Sequence, residues 1–317
     1  MIHLFALLSL LLCGVCYTGF QNSSHFHNTS NRRSLLLLVF GGALLLRLLL
    51  AYTTHGFSND IACFAAWADR IFTLGPGQFY SAEMFTDYPP GFMYVLYLIG
   101  ALRSLLQIPY YSDLHILLLK LPAILCDIAC GFLLYREAVK RLHFSDLQGI
   151  FAASAYLFQP AVILNSSCWG QVDSVYTLMI ILMCLFLMKG NLLPAYAVYG
   201  LGVLLKPQML IFTPVLLAGI WDHVFLQDFS WRKFFYNLCG GLVVICGMLL
   251  LCAPFGLTAA ISQYTSTLGS YEYAAINAYN FWGLLGMNWV DQNTIFLFLP
   301  CNCLLYTSPS PRDRTRS

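Results

Sequence analysis

Three carboxylates and one ammonium stand where they could do chemistry at a membrane surface. They are Asp60 in GFSND, Asp87 in FTDYPPGF, Asp173 in NSSCWGQVD and Lys206 in LLKPQ. A fixed carboxylate can take a proton from a hydroxyl, and a nearby cation can stabilise charge developing on a leaving oxygen. Each residue also has a plainer reading. Ser58 or Asn59 would cap a helix, with Asp60 in its first turn merely favouring the dipole. Pro89 and Pro90 tolerate only the first turn of a helix, so Asp87 is either part of a structural turn or a positioned carboxylate. Trp169 suits an interfacial aromatic belt, whereas Gln171 and Asp173 lie close to the bilayer, where polar groups are costly and usually functional. Lys206 can snorkel to headgroups or meet a phosphate as a point charge.

The chain that must position them is apolar. Of 317 residues, 59% are hydrophobic and only 9% charged, with mean hydropathy +0.70. Soluble domains carry about 25% charged residues, so this composition describes an integral membrane protein. Apolar runs near the length needed to cross recur with short polar breaks, and no even alternation suggests a barrel. The expected fold class is all-α, a polytopic helical transmembrane protein occupying 1–302 as one domain. Candidate spans are 35–52, 91–106, 114–135, 147–164, 172–188, 192–205, 208–221, 234–251 and 281–299, with 2–20 favoured as an extra span over a signal sequence. The multi-pass chain belongs in the cell membrane, or in the endoplasmic reticulum membrane of a eukaryote.

Lysine and arginine near the span ends set the orientation. Arg32, Arg33, Arg136, Lys140, Arg141, Lys189, Arg232 and Lys233 mark the inside. The outer loops then collect Asp60, Asp69, Glu83, Asp87, Asp173 and Glu272, together with Lys206 and Tyr264, Tyr271, Tyr273 and Tyr279. Six of fourteen acids on one face is a crowded set for so uncharged a protein. Two apolar segments, 91–106 and 114–135, lie between an outer and an inner loop, so one of them must be interfacial, re-entrant or broken; 91–106 is the shorter. The segment after Asp60, IACFAAWADRIFTLG, places Ile61, Phe64, Ala65, Ala68 and Phe72 near one face. It reads as an amphipathic helix on the membrane, ended by Gly75-Pro76-Gly77.

Other constellations are weak. The twelve cysteines sit mostly in apolar runs as small core residues, and Cys13 and Cys16 have redox spacing without a βαβ context. No metal-ligand cluster, P-loop or GxGxxG is present. Lys120 and Asp127 share a helix face two turns apart, as a functional pair or a structural one. Residues 303–313, CLLYTSPSPRD, resemble the frame translation of a sequencing adapter, so 303–317 is read as a non-native tail on a C-terminally truncated protein. That tail holds three arginines and one aspartate, the whole of the formal net charge of +2. No basic surface for nucleic acid survives its removal.

The ordered motifs SNDIACFAAWADRI, GPGQFYS, FTDYPPGFMY, NSSCWGQVDS and GLGVLLKPQMLIFTP run over about half the chain, from 46 to 214. Together they resemble the GT-C membrane glycosyltransferases, which use a polyprenyl-phosphate sugar as donor. Within that class they are most similar to prokaryotic proteins related to the second GPI-anchor mannosyltransferase; DYPP also occurs here in the dolichyl-phosphate-glucose glucosyltransferases. The resemblance implies transfer of a sugar, mannose in particular, from a polyprenyl-phosphate donor to a lipid or glycan acceptor at the outer face. It implies Asp60 as catalytic base. The chain lacks the Glu or second Asp beside Asp60, which leaves Asp87 as base or partner. Lys206 would clamp phosphate, with Asp87, Gln171 and Asp173 as donor or acceptor contacts and Trp169 and Tyr88 among the substrate-binding residues. No cofactor or metal is required. The rival reading is a transporter or flippase for a lipid-linked sugar, a class that tends to show paired half-chain repeats and broken helices. No internal repeat is evident. A noncatalytic membrane scaffold is a third.

Overall fold

The structure, a computed structural model, describes residues 32–80, 85–227 and 229–269, with isolated positions at 14, 17, 285–287, 290, 291, 295, 296, 299 and 300. The expected segment 2–20, most of 281–299, the tail from 303, and Glu83, Glu272, Tyr271, Tyr273 and Tyr279 lie outside these, as does the side chain of Tyr264.

The architecture is all-helical. Four helical stretches are long and apolar enough to cross a membrane: Arg32–Thr53 (α1), Asp113–Lys140, Pro207–Leu226 and Trp231–Phe255. A bent pair, Asp146–Leu157 with Pro160–Trp169, counts as a fifth if taken as one span. The α-helices that follow α1, those within these stretches included, are α2 (Ser58–Leu74), α3 (Pro90–Leu105), α4 (Asp113–Lys140), α5 (Asp146–Leu157), α6 (Pro160–Ile163), α7 (Asp173–Met188), α8 (Leu192–Leu205), α9 (Thr213–Trp221), α10 (Trp231–Cys252) and α11 (Leu257–Gly269).

Side-chain contacts sort these helices between two ends. At one, Arg32 reaches Asp146, Lys189 reaches Glu137 and Arg141 reaches the Met188 carbonyl. At the other, the loop after α1 meets Trp169, and Asp173 meets Lys206. Segments α1, α4, α5–α6, α7 and α8 therefore run alternately between a basic end and the Asp60 end. The expected single helix 147–164 is in fact broken. Pro160 has no amide hydrogen and disfavours helical backbone before it, so the chain bends 51° there and finishes in a π-helical turn, Leu164–Trp169. Likewise 208–221 begins as a 3₁₀ turn, Pro207–Phe212, behind the proline.

Helices α2 and α3 do not alternate. The first turn of α2 lies by Trp169, while Phe79 and Tyr80, just beyond its end, touch Phe255 after α10. Gly91 of α3 abuts Leu204, and Arg103 pairs with Asp69 of α2. Both ends of each helix thus stay at the Asp60 end, which removes the parity conflict between 91–106 and 114–135. The cap of α2 differs from expectation: Phe57 occupies the N-cap without a side-chain bond, and Ser58 and Asn59 already lie inside the helix. Its end at Gly75, with φ of 75°, is as expected, since a left-handed backbone suits glycine. Its buried face is wider than the expected stripe and includes Trp67 and Ile71. Phe64, Trp67, Tyr88 and Phe92 interlock with ring centroids 5.4–5.7 Å apart, which packs α2 onto α3 rather than leaving it loose on a membrane.

The intramembrane charges find separate partners. Asp127 takes Arg47 Nε at 3.2 Å on one oxygen and Tyr156 and Ser174 on the other, all inside the bundle. Lys120 instead donates to the Ala51 carbonyl at 3.2 Å, the Thr54 carbonyl at 2.7 Å and Thr54 Oγ1 at 3.1 Å. It caps the C-terminus of α1, where carbonyls lack helical partners. Lys120 and Asp127 are therefore not a pair.

Candidate active site

Two loops zip together to build the site. Phe57 N–H donates to the Trp169 carbonyl at 2.9 Å. Gly56 permits this with φ of 78°: a Cβ there would come within 2.8 Å of that same carbonyl oxygen. Gly170, at φ of 90°, turns the chain out of the π-helical turn so that Trp169 and Gln171 both reach back to α2. Such turns within helices occur often at functional sites.

Asp60 is the point of convergence. Its residue is 1% exposed, and its Oδ2 accepts from Trp169 Nε1 at 2.9 Å and from the Gln171 side-chain amide. The Trp169 ring packs against Phe57 at 5.4 Å and stays 38% exposed. A carboxylate so held is oriented by two donors.

Lys206 lies across the site. Its ammonium pairs with Asp173 Oδ1, while Asn165 donates to Asp173 Oδ2 at 3.0 Å. The ammonium also faces the rings of Tyr88 and Tyr176 at 5.8 and 5.5 Å. Lys206 is thus a placed cation with a carboxylate partner, a pairing that neither of its two sequence readings included. A phosphate approaching it would share it with Asp173.

The DYPP segment closes the remaining side. The helix begins at Pro90 with Pro89 as extended N-cap, as the paired prolines predict. Trp67 Nε1 holds the Phe85 carbonyl at 3.0 Å, Tyr80 holds that of Tyr88 at 3.0 Å, and Gln263 of α11 holds Thr86. Burial first, then the charges of Asp87, Asp173 and Asp60, hold the Tyr88 phenol well above its ordinary range. The Cys63 thiol is pushed up to about 11 by burial, then by Asp87 and Asp60. Asp60, Asp87 and Asp173 all lie near enough to Tyr88 for their charges to act on its phenol. Among the described residues no His, Cys, Asp or Glu cluster could hold a metal.

No family model and no curated protein matches this chain.

The structure thus brings Asp60, Trp169 and Gln171 into one hydrogen-bonded unit and Asp173, Lys206 and Tyr88 into a second beside it. Asp69, also counted among the outer acids, serves α3 through Arg103 instead. Cys63, Asn165 and Tyr176 were not singled out from the sequence. Asn165 had a signal, because it opens the same polar break as Gln171 and Asp173. Arg47 had one too, as a lone charge inside an apolar span.

Proposed function

We propose that this protein is an integral membrane glycosyltransferase of the GT-C type. In this reading it moves a hexose, mannose in particular, from a polyprenyl-phosphate donor to a lipid or glycan acceptor. The observation that carries the reading is the buried Asp60 carboxylate, held by Trp169 and Gln171, with Asp173, two residues after Gln171, holding the Lys206 ammonium. Asp60 takes the proton of the acceptor hydroxyl as that oxygen bonds to the anomeric carbon. The bond from that carbon to the phosphate oxygen breaks on the opposite side, and polyprenyl phosphate leaves with the electron pair. Lys206 stabilises the charge that gathers on the leaving phosphate, and Asp173 keeps the ammonium in place. Asp87, Tyr88, Trp169 and Gln171 serve as contacts to the donor or acceptor. Phosphate is a good leaving group without acid assistance, so a second carboxylate at a fixed separation is not needed.

The test is transfer of label. Membranes holding the full-length protein, incubated with radiolabelled polyprenyl-phosphate mannose, are expected to move label into an acceptor fraction; no transfer from any polyprenyl-phosphate hexose contradicts the reading.

A further inference from the structure

The basic end of the bundle carries charge that the Asp60 chemistry does not use. The carboxylates described there are already committed: Asp146 to Arg32 and Tyr135, Glu137 to Arg136 and Lys189, and Asp222 to Gln227. Arg33, Lys140 and Arg232 are exposed and make no ion pair among the described residues.

These cations share one level of the molecule. Arg33 adjoins Arg32, which reaches Asp146 at the start of α5, and Lys140 ends α4 beside Arg141, which reaches Met188. Lys189 leads into Gly190, against whose Cα the His223 ring packs. From there the rings of Trp221, Phe225, Phe229 and Trp231 form a chain of contacts 4.7–5.8 Å apart, ending beside Arg232. Trp221 and Trp231 are 57% and 66% exposed. Exposed tryptophans on apolar helices mark the headgroup layer, where an apolar ring meets a polar surface. Cations that make no ion pair among the described residues are available in that layer to lipid phosphates. A zwitterionic headgroup brings its own cation, whereas an anionic one leaves its charge for the protein.

We propose that Arg33, Lys140 and Arg232 form a docking surface for the headgroups of anionic phospholipids. The surface is independent of the transferase reading, because it lies at the opposite end from Asp60. It is tested on purified full-length protein equilibrated in micelles of equal phosphatidylglycerol and phosphatidylcholine, then analysed for retained lipid. Purified protein exposes both ends to the same lipids, so membrane orientation plays no part. The expected result is a phosphatidylglycerol enrichment that shrinks as salt rises. In the combined variant Arg33→Gln, Lys140→Gln and Arg232→Gln it falls by about tenfold or more, from roughly fivefold per surface cation. Retained thermal stability of that variant in phosphatidylcholine shows that the loss is not unfolding; if it unfolds, the single variants are measured instead. Equal retention of both lipids, enrichment unchanged in the variants, or abolition of enrichment by inorganic phosphate at matched ionic strength would each overturn the proposal.

Discussion

Trp169 Nε1 lies 2.9 Å from Oδ2 of Asp60, joining a π-helical turn to the first turn of α2, 109 residues away in the chain. The bond uses the edge of the indole and leaves part of its surface exposed. Trp169→Phe keeps the ring packed on Phe57 but removes the donor. A hydrogen bond to a charged group contributes about 1.5–3 kcal/mol. The variant should lower kcat for sugar transfer by about tenfold or more with KM little changed, as steady-state kinetics on labelled donor would read. An equal loss in Gln171→Ala would indicate that both donors serve the same carboxylate.

Gly91 tests how closely the DYPP helix must approach Lys206. A Cβ at this position would lie 2.6 Å from the Leu204 carbonyl oxygen, and backbone on both sides leaves little room to yield. Gly91→Ala should destabilise the protein by about 1–3 kcal/mol, the usual range for overpacking, and lower its thermal midpoint in detergent. Gly41, with open space around it, provides the control: Gly41→Ala should leave the midpoint unchanged or raised.

The span boundaries were legible because apolar runs end where the membrane does. The stretch 192–205 coincides with α8, and Pro207 falls at the break expected between 205 and 208; the break at Pro160 was missed, because 147–164 reads as one unbroken apolar run. Partner choice was not legible. Lys120 and Asp127 share a face of α4 and looked coupled, yet packing gives one the end of α1 and the other Arg47, Tyr156 and Ser174. Helices apolar on every side carry no stripe to say which neighbour they meet. The pairing of Asp173 with Lys206 was hidden for the same reason: each marked a polar break, and nothing in either break named the other.

The Arg47–Asp127 pair has no exposure to solvent on either side chain. Removing one partner leaves an uncompensated buried charge, so Arg47→Met alone should cost about 3–5 kcal/mol. The double variant Arg47→Met with Asp127→Leu should recover much of that loss. Unfolding midpoints of the two singles and the double form the cycle that measures it.

Cys63 reports on the carboxylates around it. With its thiol held up to about 11, almost none is thiolate at neutral pH, so alkylation should be slow and rise only above pH 10. Neutralising Asp87 as Asn removes a charge that opposes thiolate formation. The pH profile of alkylation should therefore shift downward, though burial, the larger cause, remains. A profile unmoved by that change would place Asp87 away from Cys63.

Transfer of labelled mannose from polyprenyl-phosphate mannose by full-length wild-type protein, compared with Asp60→Asn, addresses the central claim most directly. The substitution keeps the side chain's size but removes its ability to take a proton. General-base contributions are typically 10²–10⁴-fold, so kcat should fall by at least about a hundredfold while the variant still binds donor. Undiminished transfer by Asp60→Asn, or translocation of the labelled lipid with no transfer by either protein, would contradict the account.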